Sequence, residues 1–186
     1  MRQSATSPAP QLPPEIVRYL RGAPPEARQF DFLIGHWHVA ATAFGPDGVV
    51  QRKYAARWEA QHLNGGRMVM DDFRAQSPQG EDLSSFVTLR TWCESTSRWE
   101  ITGQAALQPA LNVQWHGQWQ DGEMRLHAVG VDPQGVTVHT RIRFFDIAPE
   151  NFTWESQFSR DGGDTWHLSA RLQAQRIAAA NVNLAH

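Results

Sequence analysis

His139, Arg141, Glu155 and His167 are side chains whose types could move a proton if brought together. An imidazole beside a carboxylate and a guanidinium can be tuned for acid–base work. All four fall in a stretch where apolar and polar residues alternate. Met124, Leu126 and Ala128 oppose Arg125 and His127. Val136, Val138, Ile142 and Phe144 oppose His139, Arg141 and Arg143. Trp154 and Phe158 oppose Glu155 and Gln157, and Leu168, Ala170 and Leu172 oppose His167, Ser169, Arg171 and Gln173. Alternation of this kind places the two sets on opposite faces of strands.

A second group mixes aromatic rings with one cation. Phe86, Thr88, Arg90 and Trp92 share a strand face, with Arg90 either an anion clamp or a side chain reaching solvent. Trp99 with Ile101, and Trp115 with Trp119, are in-phase aromatics that either pack a core or offer a stacking surface to a flat ligand. His36 and His38 share a face at a spacing metal sites use, but no motif fixes a third ligand, so no metal site is expected. Asp71 and Asp72 are neighbours, face opposite sides of a strand and cannot act as one paired site. Asp161 and Asp164 flank glycines and read as turn chemistry. No serine elbow, phosphate loop, dinucleotide fingerprint or zinc motif is present.

The elements that must position these residues are strands. From Phe30 to Gln175 about ten runs of strand character are separated by turns such as Gly45-Pro46-Asp47-Gly48, Asp121-Gly122 and Asp161-Gly162-Gly163-Asp164. Short connections imply antiparallel neighbours. The expectation is an all-β fold, a closed antiparallel barrel of about ten strands, with one strand face lining its lumen. Ahead of it, Pro14-Glu15 opens a short helix through Leu20 and Pro24-Pro25-Glu26 a second helical turn, both expected across one barrel end. The expected divisions are 1–29 for the tail and helical segment, 30–176 for the barrel and 177–186 for a C-terminal tail. Residues 1–14, rich in Pro, Ser and Ala, and the terminal His186 are expected to be loose.

Composition narrows the partners. The chain has 186 residues and a net charge of −2, which suits one domain and argues against nucleic acid or an anionic membrane surface. It carries 16 Arg against the single Lys53. Cys93 stands alone, so no intrachain disulfide forms; together with the lack of a signal peptide or apolar span this fits a cytoplasmic protein.

Phe30-Asp31-Phe32-Leu33-x-Gly35-x-Trp37, Gly65-Gly66, Thr88-x-Arg90 ahead of Trp99, and Ser159-x-Asp161-Gly162-Gly163-x-Thr165-Trp166 with Arg176 resemble the DUF1579 family of bacterial proteins. That family is similar to the calycins, the superfamily of lipocalins and fatty-acid-binding proteins. The resemblance covers about residues 30–176. It implies a ten-strand barrel with an interior cavity and no agreed activity, so no catalytic residues carry over. The extra N-terminal segment and the many His residues depart from the family pattern.

Three functional readings follow. In the leading one the apolar set fills the lumen, which binds a small apolar or aromatic ligand through Trp58, Met70, Phe86, Arg90, Trp92, Trp99, Trp115 and Phe144, with no cofactor. In the alternative the polar set lines the lumen, and His139, Arg141, Glu155 and His167 serve a cofactor-free isomerase, cyclase or lyase. The third is haem held through His167, since the barrel also resembles nitrobindins in outline. Outer faces rich in Trp and Phe would favour a homodimer.

Overall fold

The turn chemistry delivers the strands. At Asp121-Gly122 both residues adopt positive φ, 53° and 81°, the mirror-image turn whose twist matches two antiparallel strands. In the longer turn after Ser159, the Asp161 carboxylate accepts the Ser159 hydroxyl at 2.6 Å and the Thr165 N–H at 2.9 Å. These two contacts hold the Asp161 carboxyl well below the usual carboxylate range. The computed structural model describes residues 11–178, without the side chains of 110–112. Most of the N-terminal tail and of the C-terminal tail, His186 included, lies outside the described residues.

Ten strands result: β1 (Gly35–Phe44), β2 (Val50–Leu63), β3 (Met68–Gln76), β4 (Asp82–Cys93), β5 (Arg98–Ala105), β6 (Gln108–Gln120), β7 (Glu123–Val131), β8 (Thr137–Ala148), β9 (Asn151–Ser159) and β10 (His167–Arg176). Each pairs antiparallel with its sequence neighbours, and β1 closes on β10. Closure removes every sheet edge. It also decides which strand face is buried. Trp37, Val39 and Ala41 of β1, Ala56, Trp58 and Ala60 of β2, and Leu126, Ile142, Phe144 and Leu172 further round are all buried. The apolar set therefore fills the lumen, where facing strands take one another's apolar side chains out of water.

The helix α1 (Pro14–Leu20) forms where its proline and Glu15 suggest, but it buries none of its own residues. It lies at the plugged end against the β2–β3 turn, its Tyr19 hydroxyl donating to Asn64 at 2.8 Å and its ring under the Arg67 guanidinium at 4.1 Å. The 3₁₀ helix Pro25–Leu33 does the plugging: Ala27, Phe30 and Leu33 are buried on its inner side. Phe30 meets Trp99 edge-on at 4.8 Å and Phe144 at 5.9 Å. The Trp99 indole N–H donates to Gln29 at 3.0 Å, and that of Trp37 to the Leu33 carbonyl at 2.8 Å.

Gly35 has a specific task here. Its φ is +122°, and a Cβ would sit 2.6 Å from Arg176 Nη1. Without it, the Arg176 guanidinium passes over the Trp37 ring at 4.0 Å and donates to the carbonyls of Ile34 (2.7 Å), Phe32 (3.2 Å) and Pro149 (2.6 Å). The Gly-x-Trp spacing thus admits a side chain from the last strand that fastens the plug. Among the described residues no helix is long and apolar enough to cross a membrane.

Candidate functional site

The plugged half of the lumen is solid with rings. Trp37 meets Phe152 at 4.8 Å, and Phe32 and Trp58 both approach Phe144 and Phe152. Above this floor, toward the end bearing the β1–β2 and β9–β10 turns, the packing opens into a cavity of about 160 Å³. Its walls are mainly aromatic: Tyr54 and Trp58, Phe73, Phe86, Trp115 and Trp154, completed by aliphatic side chains that include Ile101, Ala170 and Leu172. A cavity of about this size accommodates one benzene-like ring. Gly103 shapes one wall: a Cβ there would lie 2.6 Å from both the Phe86 and the Trp115 rings, which meet edge-on at 5.9 Å.

Arg90 is the charged member of the lining, with Thr88 beside it on β4. Both are buried, and so is Asp71, which β3 presents inward between Val69 and Phe73. Arg90 and Asp71 form an ion pair with side chains 4% and 1% exposed. The other Asp71 oxygen accepts the Trp58 indole N–H at 2.7 Å, and the Arg90 guanidinium lies 4.9 Å over the Phe30 ring. Burial pushes the Arg90 guanidinium down to about 9, while the adjoining carboxylate works the other way; Arg90 is cationic at neutral pH. Two buried donors have no acceptor among the described residues, Arg90 Nε and Trp115 Nε1. Unmet donors in a dry wall are costly.

Several sequence expectations move. Trp58, Phe86, Arg90 and Trp115 line the cavity. Trp99 and Phe144, fully buried, lie in and against its floor, and Trp92 packs on Trp99 at 6.0 Å at the plugged end. Met70 is not in the lumen: it pairs with Leu89 on the outer face, one position out of phase with Asp71. The residue missed was Asp71, which period-two counting from Val69 and Phe73 would have placed inside. Thr88-x-Arg90 was noticed, but the partner of Arg90 depends on the β3–β4 register.

The acid–base set does not assemble in the lumen. His139, Arg141 and Glu155 share the outer face, opposite Ile142 and Phe144. Arg141 donates to Gln157 at 2.6 Å and lies 4.1 Å over the Trp166 ring. Glu155 accepts the Arg171 Nε–H at 2.5 Å, with Arg143 on its other side. His167 leaves this set altogether. A bulge at Ser169 shifts the register so that His167 pairs with Phe158, in the inward phase near the mouth, and stacks on that ring at 5.4 Å. The expectation that polar and apolar sets stay in phase through β10 is corrected there. His167, the expected haem ligand, thus sits near the mouth against the Phe158 ring. His36 and His38 point outward, His36 toward Glu59 at 3.7 Å. Among the described residues no three His, Cys, Asp or Glu side chains gather where they could hold a metal ion.

The barrel is similar to solved structures. Against the crystal structure of Rv2717c from M. tuberculosis the identity is 13%, the match covers 84% of this chain and 99% of that chain, and the TM-score is 0.59. Against the S-type phycobiliprotein lyase CPES from Guillardia theta the identity is 12%, the coverage 82% and 92%, and the TM-score 0.53. At these identities the likeness is one of fold, a closed antiparallel barrel. No family model and no curated protein matches the chain.

Proposed function

We propose that this chain belongs with the DUF1579 proteins and that its barrel binds a compact, mainly aromatic small molecule, about one ring in size and carrying a hydrogen-bond acceptor. One observation carries this: an aromatic-walled cavity in the lumen that holds a buried arginine and two donors without acceptors. Apolar walls with a few placed polar groups are the usual make-up of a small-molecule site. The likeness to a phycobiliprotein lyase supports the fold and does not transfer its activity. The cavity's small volume favours a compact ring over a long acyl chain among the apolar ligands expected from the sequence.

Titration with phenol, acetophenone and toluene tests this, read by the fluorescence of Trp58, Trp115 and Trp154, which line the cavity. A ligand of so few atoms should yield about 4–8 kcal/mol, a Kd of roughly 1 mM to 1 μM. The expected result is saturable quenching that is lost in Ala170→Leu, which adds volume to the cavity wall and leaves Arg90 and Asp71 themselves unchanged. No saturation with any of the three, or unchanged binding in A170L, contradicts the reading.

A further inference from the structure

We propose that Asp71 makes this cavity select an uncharged ligand: an aromatic ketone, aldehyde, amide or phenol is accepted, and the aromatic carboxylate of the same shape is rejected. The inference rests on the binding reading above and names the ligand class for that site.

A buried arginine in an apolar barrel suggests at first a carboxylate clamp. The surroundings of Arg90 argue otherwise. Its guanidinium already contacts one Asp71 oxygen, and the other oxygen is held by the Trp58 N–H at 2.7 Å. Both side chains are almost wholly out of water, so the carboxylate is fixed and unscreened. The pair sums to zero charge. The residues lining the cavity include no second cation that an incoming anion could use. A ligand carboxylate would lose its hydration, face the negative π-faces of the walls and come close to Asp71.

A neutral oxygen meets none of these penalties. Arg90 Nε and Trp115 Nε1, two N–H groups without acceptors, lie within the same wall. These residues belong to one cross-strand row of the wall: Arg90 pairs with Ile101, and Ile101 with Trp115. Two strand spacings, about 10 Å at the backbone, separate them. Both side chains line the cavity with Ile101 between them, so a ring bearing one oxygen can lie against Ile101 beside the neutral Arg90–Asp71 pair.

Acetophenone and benzoate have nearly the same size and differ in charge, so the test measures both by calorimetry at neutral pH. The wild type should bind acetophenone tenfold or more tightly than benzoate. In Asp71→Asn, which keeps an oxygen for the Trp58 N–H but frees the charge of Arg90, benzoate should gain tenfold or more while acetophenone stays within threefold. Should D71N not fold, the double variant D71N/R90Q carries neither charge and should keep the wild-type preference. A fall in benzoate affinity in that double variant would show Arg90 acting as a free cation and overturn the proposal. So would a wild type that binds benzoate as well as acetophenone, or a folded D71N with no gain for benzoate. If neither compound binds the wild type at millimolar concentration, the binding reading itself fails and this inference falls with it.

Discussion

The molecule sets arginine against carboxylate in two solvents. Inside, one Asp71 faces one Arg90, almost completely buried. Outside, a row crosses four strands: Arg125 pairs with Arg143, Arg143 with Glu155, and Glu155 with Arg171. In that row each carboxylate is shared. Glu123 accepts from both Arg125 and Arg143, and Glu155 lies between Arg143 and Arg171. The arginines there are 37–51% exposed while Glu155 is 6% exposed, so the guanidinium groups cover the carboxylate and stay wet themselves. The Arg143 contact holds the Glu123 carboxyl below its ordinary value despite partial burial. The outer row has redundancy and water, and the inner pair has neither. Identical chemistry therefore gives tolerance on the surface and dependence in the lumen.

The largest effect should come from breaking the inner pair one partner at a time. Asp71→Ala or Arg90→Ala leaves a buried charge without a counterion and should lower stability by about 3–5 kcal/mol, read from urea midpoints. Replacing both, D71L with R90M, should restore most of that loss, because a buried pair is often no better than apolar packing of similar volume. If the double variant is as unstable as the singles, the pair contributes net stability and the contrast with the outer row narrows. Next in size, Gly103→Ala tests the inner region by volume rather than charge. Its Cβ collides with Phe86 and Trp115, and overpacking should cost about 1–3 kcal/mol while abolishing acetophenone binding. Smaller still, Glu155→Ala should cost about 1 kcal/mol, and most of the difference should vanish in about 1 M salt, where screening reaches within a few ångströms. Persistence at high salt would mean that Glu155 behaves like an interior group.

The smallest effect concerns pH. Burial, then the neighbouring His116, Arg141 and Arg125, push the His127 imidazole below its ordinary value. A depressed imidazole favours the neutral form in the folded state. Its contribution is intact above the unfolded value of about 6.5 and is lost as pH falls below that and on through the lower folded value. The Tm should therefore drop less between pH 8 and 5 in His127→Gln than in the wild type. Equal drops would remove His127 from the outer-face electrostatics.

The barrel was legible because its signals are local. Turn pairs such as Asp121-Gly122 and strict alternation in β7 and β8 each depend on a few adjacent residues, and the expected ten strands form. That the apolar face lines the lumen also follows from burial alone. The site was legible in part. Trp58, Phe86, Arg90 and Trp115 share a lumen because their phases agree with the core. Asp71 was passed over because its importance lies in a neighbour 19 positions along the chain, fixed by the register of two strands. His167 was misplaced because one inserted residue, Ser169, reverses every face beyond it, and a bulge leaves no mark on hydrophobic alternation until its partner strand is known.

The Arg176 clasp has a consequence for the order in which the protein can be finished. Its acceptors on the plug, the carbonyls of Phe32 and Ile34, lie 144 and 142 positions earlier in the chain. On a ribosome adding about 5–20 residues per second, the plug emerges roughly 7–28 s before the side chain that fastens it. During that interval Phe30 and Trp37 have neither a closed wall nor a clasp. The floor of the cavity is thus made well before the strand that secures it, and the nascent barrel lacks its closing wall until that final strand arrives.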